Sequence, residues 1–143
     1  MQILVVYDTR TGNTDRMAQA VAEGARAVDK VEVVLKRVRE AGGELADADA
    51  IIVGSPTHSK QPSHAMKKFL SGWSKVSLKD KVGAAFGSYG WSGEAPGIIE
   101  RTLKERGLRV AAKALRVRGA PGEIALTNCR NLGRTVATSI AHV

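Results

Sequence analysis

Residues 2–7 form a nearly unbroken apolar run rich in β-branched side chains, Ile3-Leu4-Val5-Val6 closed by Tyr7. A short run without alternation reads as a strand covered on both faces, the pattern of a central strand in a parallel sheet. Over residues 13–28 the period changes. Met17, Ala18, Val21, Ala22, Ala25 and Val28 recur at three- and four-residue steps, with Asp15, Arg16, Gln19, Glu23 and Arg26 between them, which predicts an amphipathic helix. Residues 31–38 alternate, Val31, Val33 and Leu35 against Glu32 and Lys36. That predicts a strand with one wet side, at an edge of the sheet. Residues 49–54 hold a second buried run, Ala50-Ile51-Ile52-Val53.

Beyond a loop over residues 55–62, Ala65, Met66, Phe69, Leu70 and Trp73 share one helical face opposite Lys67 and Lys68, and Trp73 at that spacing reads as core. A strand over residues 82–87, a loop over 88–93 and a helix over 94–106 follow, with Gly107 placed to end the helix. Residues 110–117 read as the last strand. Residues 123–141 read as the closing helix, carried by Ile124, Cys129, Leu132, Val136, Ala137 and Ile140. No repeat or linker interrupts this order, so residues 1–143 are expected to form a single domain. Alternating strands and helices predict an α/β fold, a five-stranded parallel sheet with helices on both faces joined by right-handed crossovers. The expected strand order is 2-1-3-4-5, which puts ligands beyond the carboxyl ends of the strands, at the switch between the first and third.

Composition narrows the function classes. The longest apolar run is far too short to span a bilayer or serve as a secretory core, so no membrane insertion and a cytoplasmic location are expected. The lone Cys129 forms neither an internal disulfide nor a zinc site. Lys and Arg number 22 against 14 Asp and Glu, a formal charge of +8 with a pI near 10.0, and such a balance attracts anionic partners. Lys36, Arg37 and Arg39, then Lys67 and Lys68, then Arg116 and Arg118 sit on separate segments with no aromatic interleaving. That spread argues against nucleic acid.

Chemistry is expected in three loops. The first, Thr9-Arg10-Thr11-Gly12-Asn13-Thr14, runs into a helix N-terminus, where short polar side chains, free N–H groups and the helix dipole suit a phosphate. It lacks the length and the lysine of a Walker loop and the glycines of a dinucleotide fingerprint. Plain helix capping by Thr11 or Asn13 explains it equally well in isolation. The second loop, Gly54-Ser55-Pro56-Thr57-His58-Ser59-Lys60-Gln61-Pro62, is stiffened by two prolines, and His58 and His64 by themselves read as solvated surface groups. The third, Gly87-Ser88-Tyr89-Gly90-Trp91-Ser92-Gly93, sets two aromatics among glycines at the end of a strand. A phosphorylated receiver domain shares the sheet order, but it needs clustered acids to hold magnesium, and only Asp8 follows the first strand.

Taken together, residues 7–14, Ile52-Val53-Gly54-Ser55-Pro56-Thr57 and Phe86-Gly87-Ser88-Tyr89-Gly90-Trp91-Ser92-Gly93 resemble the flavodoxin family. The third motif is most similar to the flavodoxin domain of A-type flavoproteins, and the resemblance covers essentially the whole chain. It implies a flavodoxin-like three-layer sandwich binding FMN. Thr9, Arg10, Thr11, Gly12, Asn13 and Thr14 would wrap the phosphate. Ser55, Pro56, Thr57 and His58 would line one side of the isoalloxazine and ribityl chain, and Ser88, Tyr89, Gly90, Trp91 and Gly93 the other, with either Tyr89 or Trp91 stacking on the ring. No metal ligand and no catalytic side chain is implied.

The implied function is an FMN electron carrier between redox partners, monomeric or homodimeric. The high pI points to an acidic partner, ferredoxin-like or a reductase. The alternative is an FMN-dependent NAD(P)H:quinone-type oxidoreductase. A-type flavoproteins carry a metal-binding domain upstream. No such segment stands in this sequence, so their oxygen or nitric oxide reduction is not expected. Arg10 and Lys60, both in binding loops, are expected to place positive charge near the flavin.

Overall fold

The structure is a computed structural model and describes residues 1–75 and 78–141. In chain order its elements are β1 (Gln2–Tyr7), α1 (Asn13–Arg26), β2 (Glu32–Arg37), α2 (Glu44–Asp47), β3 (Ala50–Gly54), β4 (Thr57–His58) and β5 (Gln61–Pro62). Then come α3 (His64–Ser71), a 3₁₀ turn (Gly72–Lys75), β6 (Val82–Tyr89), α4 (Ala95–Glu105), β7 (Arg109–Val110), β8 (Leu115–Arg118) and α5 (Glu123–Ala141).

The main sheet runs β2-β1-β3-β6 and ends in β7 and β8, both parallel to β6. With β7 and β8 counted as one interrupted fifth strand, this is the expected order 2-1-3-4-5, and β2 holds the expected edge. The unbroken apolar runs of β1 and β3 follow from cover on both faces. Ile3, Val5, Ala50 and Ile52 point into a core with α1 and α5 residues such as Met17, Val21, Cys129 and Val136. Leu4, Val6, Ile51 and Val53 point the other way, to Met66, Leu70, Trp73, Ile99 and Leu103 of the α3 and α4 layer. Period-two side-chain direction thus builds three layers from one sheet. Among the described residues, no helix is long and apolar enough to cross a membrane.

Three local readings change. The last strand is not continuous over residues 110–117. Val110 pairs with Gly83 and Leu115 with Phe86, so residues 111–114 occupy the span that residues 84–85 fill on β6. The extra residues bulge out of the ladder, and the Ala114 N–H turns away to a carboxylate oxygen of Glu100 on α4, at 2.9 Å. β6 itself runs on to Tyr89, because β8 pairs with it as far as Arg118. The second loop is not irregular: β4 and β5 form a two-residue hairpin with Ser59 at φ 51° and Lys60 at φ 65°. Positive φ at both connecting residues matches the right-handed twist of paired strands. Each non-glycine residue there costs about 1–2 kcal/mol.

Candidate functional site

Strand register brings the loops to one edge. Tyr7 lies opposite Gly54, Gly54 opposite Phe86, and β6 continues to Tyr89 opposite Arg118. The segments that follow these residues therefore leave the sheet side by side at its carboxyl edge. There they enclose a cleft of about 380 Å³, at the small end of the roughly 300–1,000 Å³ of small-molecule sites. Larger hollows of about 630 and 730 Å³ lie against α3, one beside Val38 and Arg39 just past β2 and the other between α3 and α4.

The first loop contributes Arg10, Thr11 and Asn13 to the cleft. Gly12 stands at the N-cap of α1 with φ 91°, a left-handed conformation that glycine adopts without a Cβ penalty, and it offers no side-chain cap. Thr9 shapes the turn from behind: its hydroxyl oxygen accepts the N–H of Gly12 at 3.1 Å and, longer, that of Asp15 at 3.4 Å. The helix begins at Asn13, so the N–H groups of Asn13 and Thr14 precede the first intrahelical acceptor and, among the described residues, have no side-chain cap. A helix start with such N–H groups suits an anion, and Arg10 and Thr11 line the cleft next to it. Thr14 is not in the lining. Its side chain is buried below the loop and shares a 2.7 Å hydrogen bond with the Ser88 hydroxyl.

Tyr7 anchors the loop on its other side, donating its hydroxyl to Asp15 Oδ1 at 2.6 Å. Burial raises the Tyr7 phenol above its ordinary value, and the Asp15 carboxylate adds to the rise. In-register Arg37 of β2 acts on the same phenol in the opposite sense.

The second loop contributes Pro56, Thr57 and His58. Ser55 lies beneath, fully buried, its hydroxyl donating to the Pro56 carbonyl and accepting the Ser63 N–H at 3.0 Å. Ser63 in turn caps α3 through the Met66 N–H. Thr57 also ties the hairpin to α4, its hydroxyl oxygen accepting the Ala95 N–H at 3.1 Å. Lys60, expected near the flavin, lies outside the cleft, because the hairpin turn carries it to the α3–α4 side.

From the third loop Ser88, Tyr89 and Gly90 line the cleft. Trp91 and Gly93 do not. Trp91 projects outward, 93 % exposed. Gly93 lies against the Tyr89 ring so closely that a Cβ there would stand 2.8 Å from Cδ1. Arg116 of β8 fixes the loop, its Nε donating to the Gly93 carbonyl at 2.8 Å. The Ser92 hydroxyl holds the Glu94 carboxyl below its ordinary value. A fourth segment went unread in the sequence: Gly119, at φ 69°, also lines the cleft and donates its N–H to the Tyr89 carbonyl at 2.7 Å. Its signal was the run Gly119-Ala120-Pro121-Gly122 between a strand and a helix.

The donor set suits a phosphate-bearing planar ligand: N–H groups and one guanidinium at one end, a tyrosine ring and a proline on flanking walls. A doubly wound sheet with such a site at its switch point belongs to the class of mononucleotide-binding α/β proteins. The family described as flavodoxin matches residues 5–133. The structure of a flavodoxin from the domain Archaea superposes with a TM-score of 0.95 at 37% identity, covering 99% of this chain and 100% of that one. A flavodoxin of Aquifex aeolicus is 46% identical over 99 residues, 64% of this chain and 52% of that protein. A type A flavoprotein of Rhodobacter capsulatus is 34% identical over 142 residues, 94% of this chain but 32% of its own length. The chain belongs to the flavodoxin family, whose cofactor is FMN and whose chemistry is electron transfer. It spans 35%, 24% and 32% of the first three curated relatives that it matches.

Proposed function

We propose that residues 1–143 act as one FMN-carrying domain that passes electrons between redox partner proteins and has no substrate pocket of its own. The observation that carries this reading is the cleft at the sheet's switch point, with the Asn13 and Thr14 N–H groups of α1 at one end and Tyr89 on a wall. When bound, FMN supplies the one- and two-electron chemistry of its isoalloxazine ring. The Asn13 and Thr14 N–H groups, the Thr11 hydroxyl and Arg10 hold the phosphate. Pro56, Thr57 and His58 form one flank of the ring site, and Ser88, Tyr89 and Gly90 the other. Thr9, Gly12, Ser55, Gly93 and the side chain of Thr14 act beneath or beside the lining by setting loop shape. Trp91, exposed at the rim, is placed to touch the ring edge or a partner.

The formal charge of +8 favours an acidic partner, whose approach a basic surface accelerates. A cytoplasmic location and a monomer or homodimer complete the reading. The test uses the purified, FMN-loaded protein. Absorption bands near ~450 and ~375 nm are expected of the bound cofactor, with fast electron exchange with an acidic redox protein. Steady NADPH oxidation with a quinone and no other protein would instead make the chain a self-sufficient oxidoreductase.

A further inference from the structure

A groove of about 730 Å³ runs between α3 and α4, separated from the cofactor cleft by the β4–β5 hairpin. The hairpin serves both sites: Thr57 and His58 line the cleft, while Ser59 and Lys60 turn into the groove. Its apolar lining comes from Pro62 and Leu70, both buried, and from half-buried Ile98. Around them stand Lys60, Lys67, Arg101 and Arg106, with Glu105 as the acid of the lining. Among the described residues the ion pairs are Lys104 with Glu100 and Arg130 with Glu123, so none of the four groove cations is matched by a carboxylate. Lys67 donates to the Gln61 side-chain oxygen at 3.0 Å, a neutral acceptor that leaves the charge uncompensated. After the larger effect of the Ser92 hydroxyl, the Lys60 charge also helps hold the Glu94 carboxyl below its ordinary value, with no ion pair between them.

An apolar centre ringed by unmatched cations is complementary to an acidic segment bearing an apolar side chain. We propose that this groove is the docking surface for such a segment of the redox partner protein. The inference rests on the electron-transfer reading and adds to it the face through which the partner approaches. The geometry favours that face because the hairpin wall is shared, so a partner seated on Leu70 and Arg101 lies directly beside the cofactor cleft. Thr57 locks that wall to the start of α4 through the Ala95 N–H, and the same helix supplies Ile98 and Arg101.

The test titrates the FMN-loaded, ¹⁵N-labelled protein with an acidic plant-type ferredoxin whose iron is replaced by gallium, a probe that docks but cannot exchange electrons. Chemical-shift changes are expected at Lys67, Leu70, Ile98 and Arg101. The double variant Lys67→Glu with Arg101→Glu is expected to weaken binding about tenfold or more at low salt, and about 0.5 M salt to erase the difference. Lys113→Glu with Arg134→Glu changes the net charge equally outside the groove and should cost less than about twofold. Equal weakening by both double variants, shifts confined to another face, or displacement of the probe from the groove by NADPH would overturn the proposal. The iron form of the ferredoxin separates the two claims. Docking in the groove without electron exchange sinks the electron-transfer reading alone, whereas exchange untouched by the groove variant sinks the docking surface alone.

Discussion

The hydroxyls of Thr14 and Ser88 lie 2.7 Å apart, both buried, and join the first turn of α1 to the end of β6 across 74 residues of sequence. The bond fixes the phosphate end of the cleft against the strand that carries Tyr89. Ser88→Ala leaves the Thr14 hydroxyl buried without its partner and is expected to cost about 1–3 kcal/mol. Thr14→Val with Ser88→Ala removes both polar groups and should cost less than the sum of the single changes. Urea denaturation of the four proteins in this cycle measures the coupling, expected at about 0.5–3 kcal/mol. Strict additivity would mean that the bond contributes nothing.

Helices α1 and α5 touch backbone to backbone. A Cβ on Gly24 would stand 1.9 Å from the Arg130 carbonyl oxygen, and one on Gly133 would stand 2.0 Å from that of Val21. Gly→Ala in a helix interior ordinarily gains about 1 kcal/mol of propensity. Here overpacking by about 1–3 kcal/mol or more outweighs that gain. Both Gly24→Ala and Gly133→Ala should therefore lower the urea midpoint.

That crossing also marks where the sequence stopped being legible. Periodicity placed the strands and long helices because their apolar residues follow the geometry of burial, and β1 and β3 carry no polar position to blur it. Gly24 and Ala20 are buried on α1 yet fall outside the apolar positions read from its period, and a glycine's close contact with another helix leaves no hydrophobic signal. The break in the last strand was hidden because Ala111, Ala112 and Ala114 suit strand and loop alike, and the deciding Glu100 carboxylate comes from another element. The hairpin was hidden because Ser59 and Lys60 adopt positive φ without being glycine or asparagine. In the site, the three loops were readable from strand ends and turn chemistry, whereas the individual residues assigned to the lining came from the resemblance to flavodoxins. Sequence could not separate those that face the cleft, such as Thr11 and Tyr89, from those that brace it, such as Thr14 and Ser55.

Tyr89 lines the cleft and Trp91 lies outside it. Tyr89→Ala is expected to weaken FMN binding by about 0.5–1.5 kcal/mol beyond the loss of contact area, while Trp91→Ala weakens it less. Flavin fluorescence titrations compare the two. A larger loss in Trp91→Ala would move the stacking contact to the exposed ring.

Burial raises the Cys129 thiol from 9.0 to about 11, against a smaller opposing effect of Arg130. The unfolded chain releases this proton first, so the folded state loses stability as pH rises from about 9 to about 11 and gains nothing from the group below that window. Cys129→Ala should flatten that part of the stability–pH curve. An unchanged slope would place the alkaline loss on other groups.

The central claim is that the start of α1 holds the phosphate of FMN, and competitive titration with FMN and riboflavin, which differ only in that group, tests it most directly. Two charge-assisted hydrogen bonds at about 1.5–3 kcal/mol each predict that riboflavin binds the wild-type protein at least about a hundredfold more weakly. Thr11→Ala with Arg10→Gln should narrow that gap by lowering FMN affinity while leaving riboflavin nearly unchanged. Equal affinity for the two flavins in the wild-type protein would contradict the account.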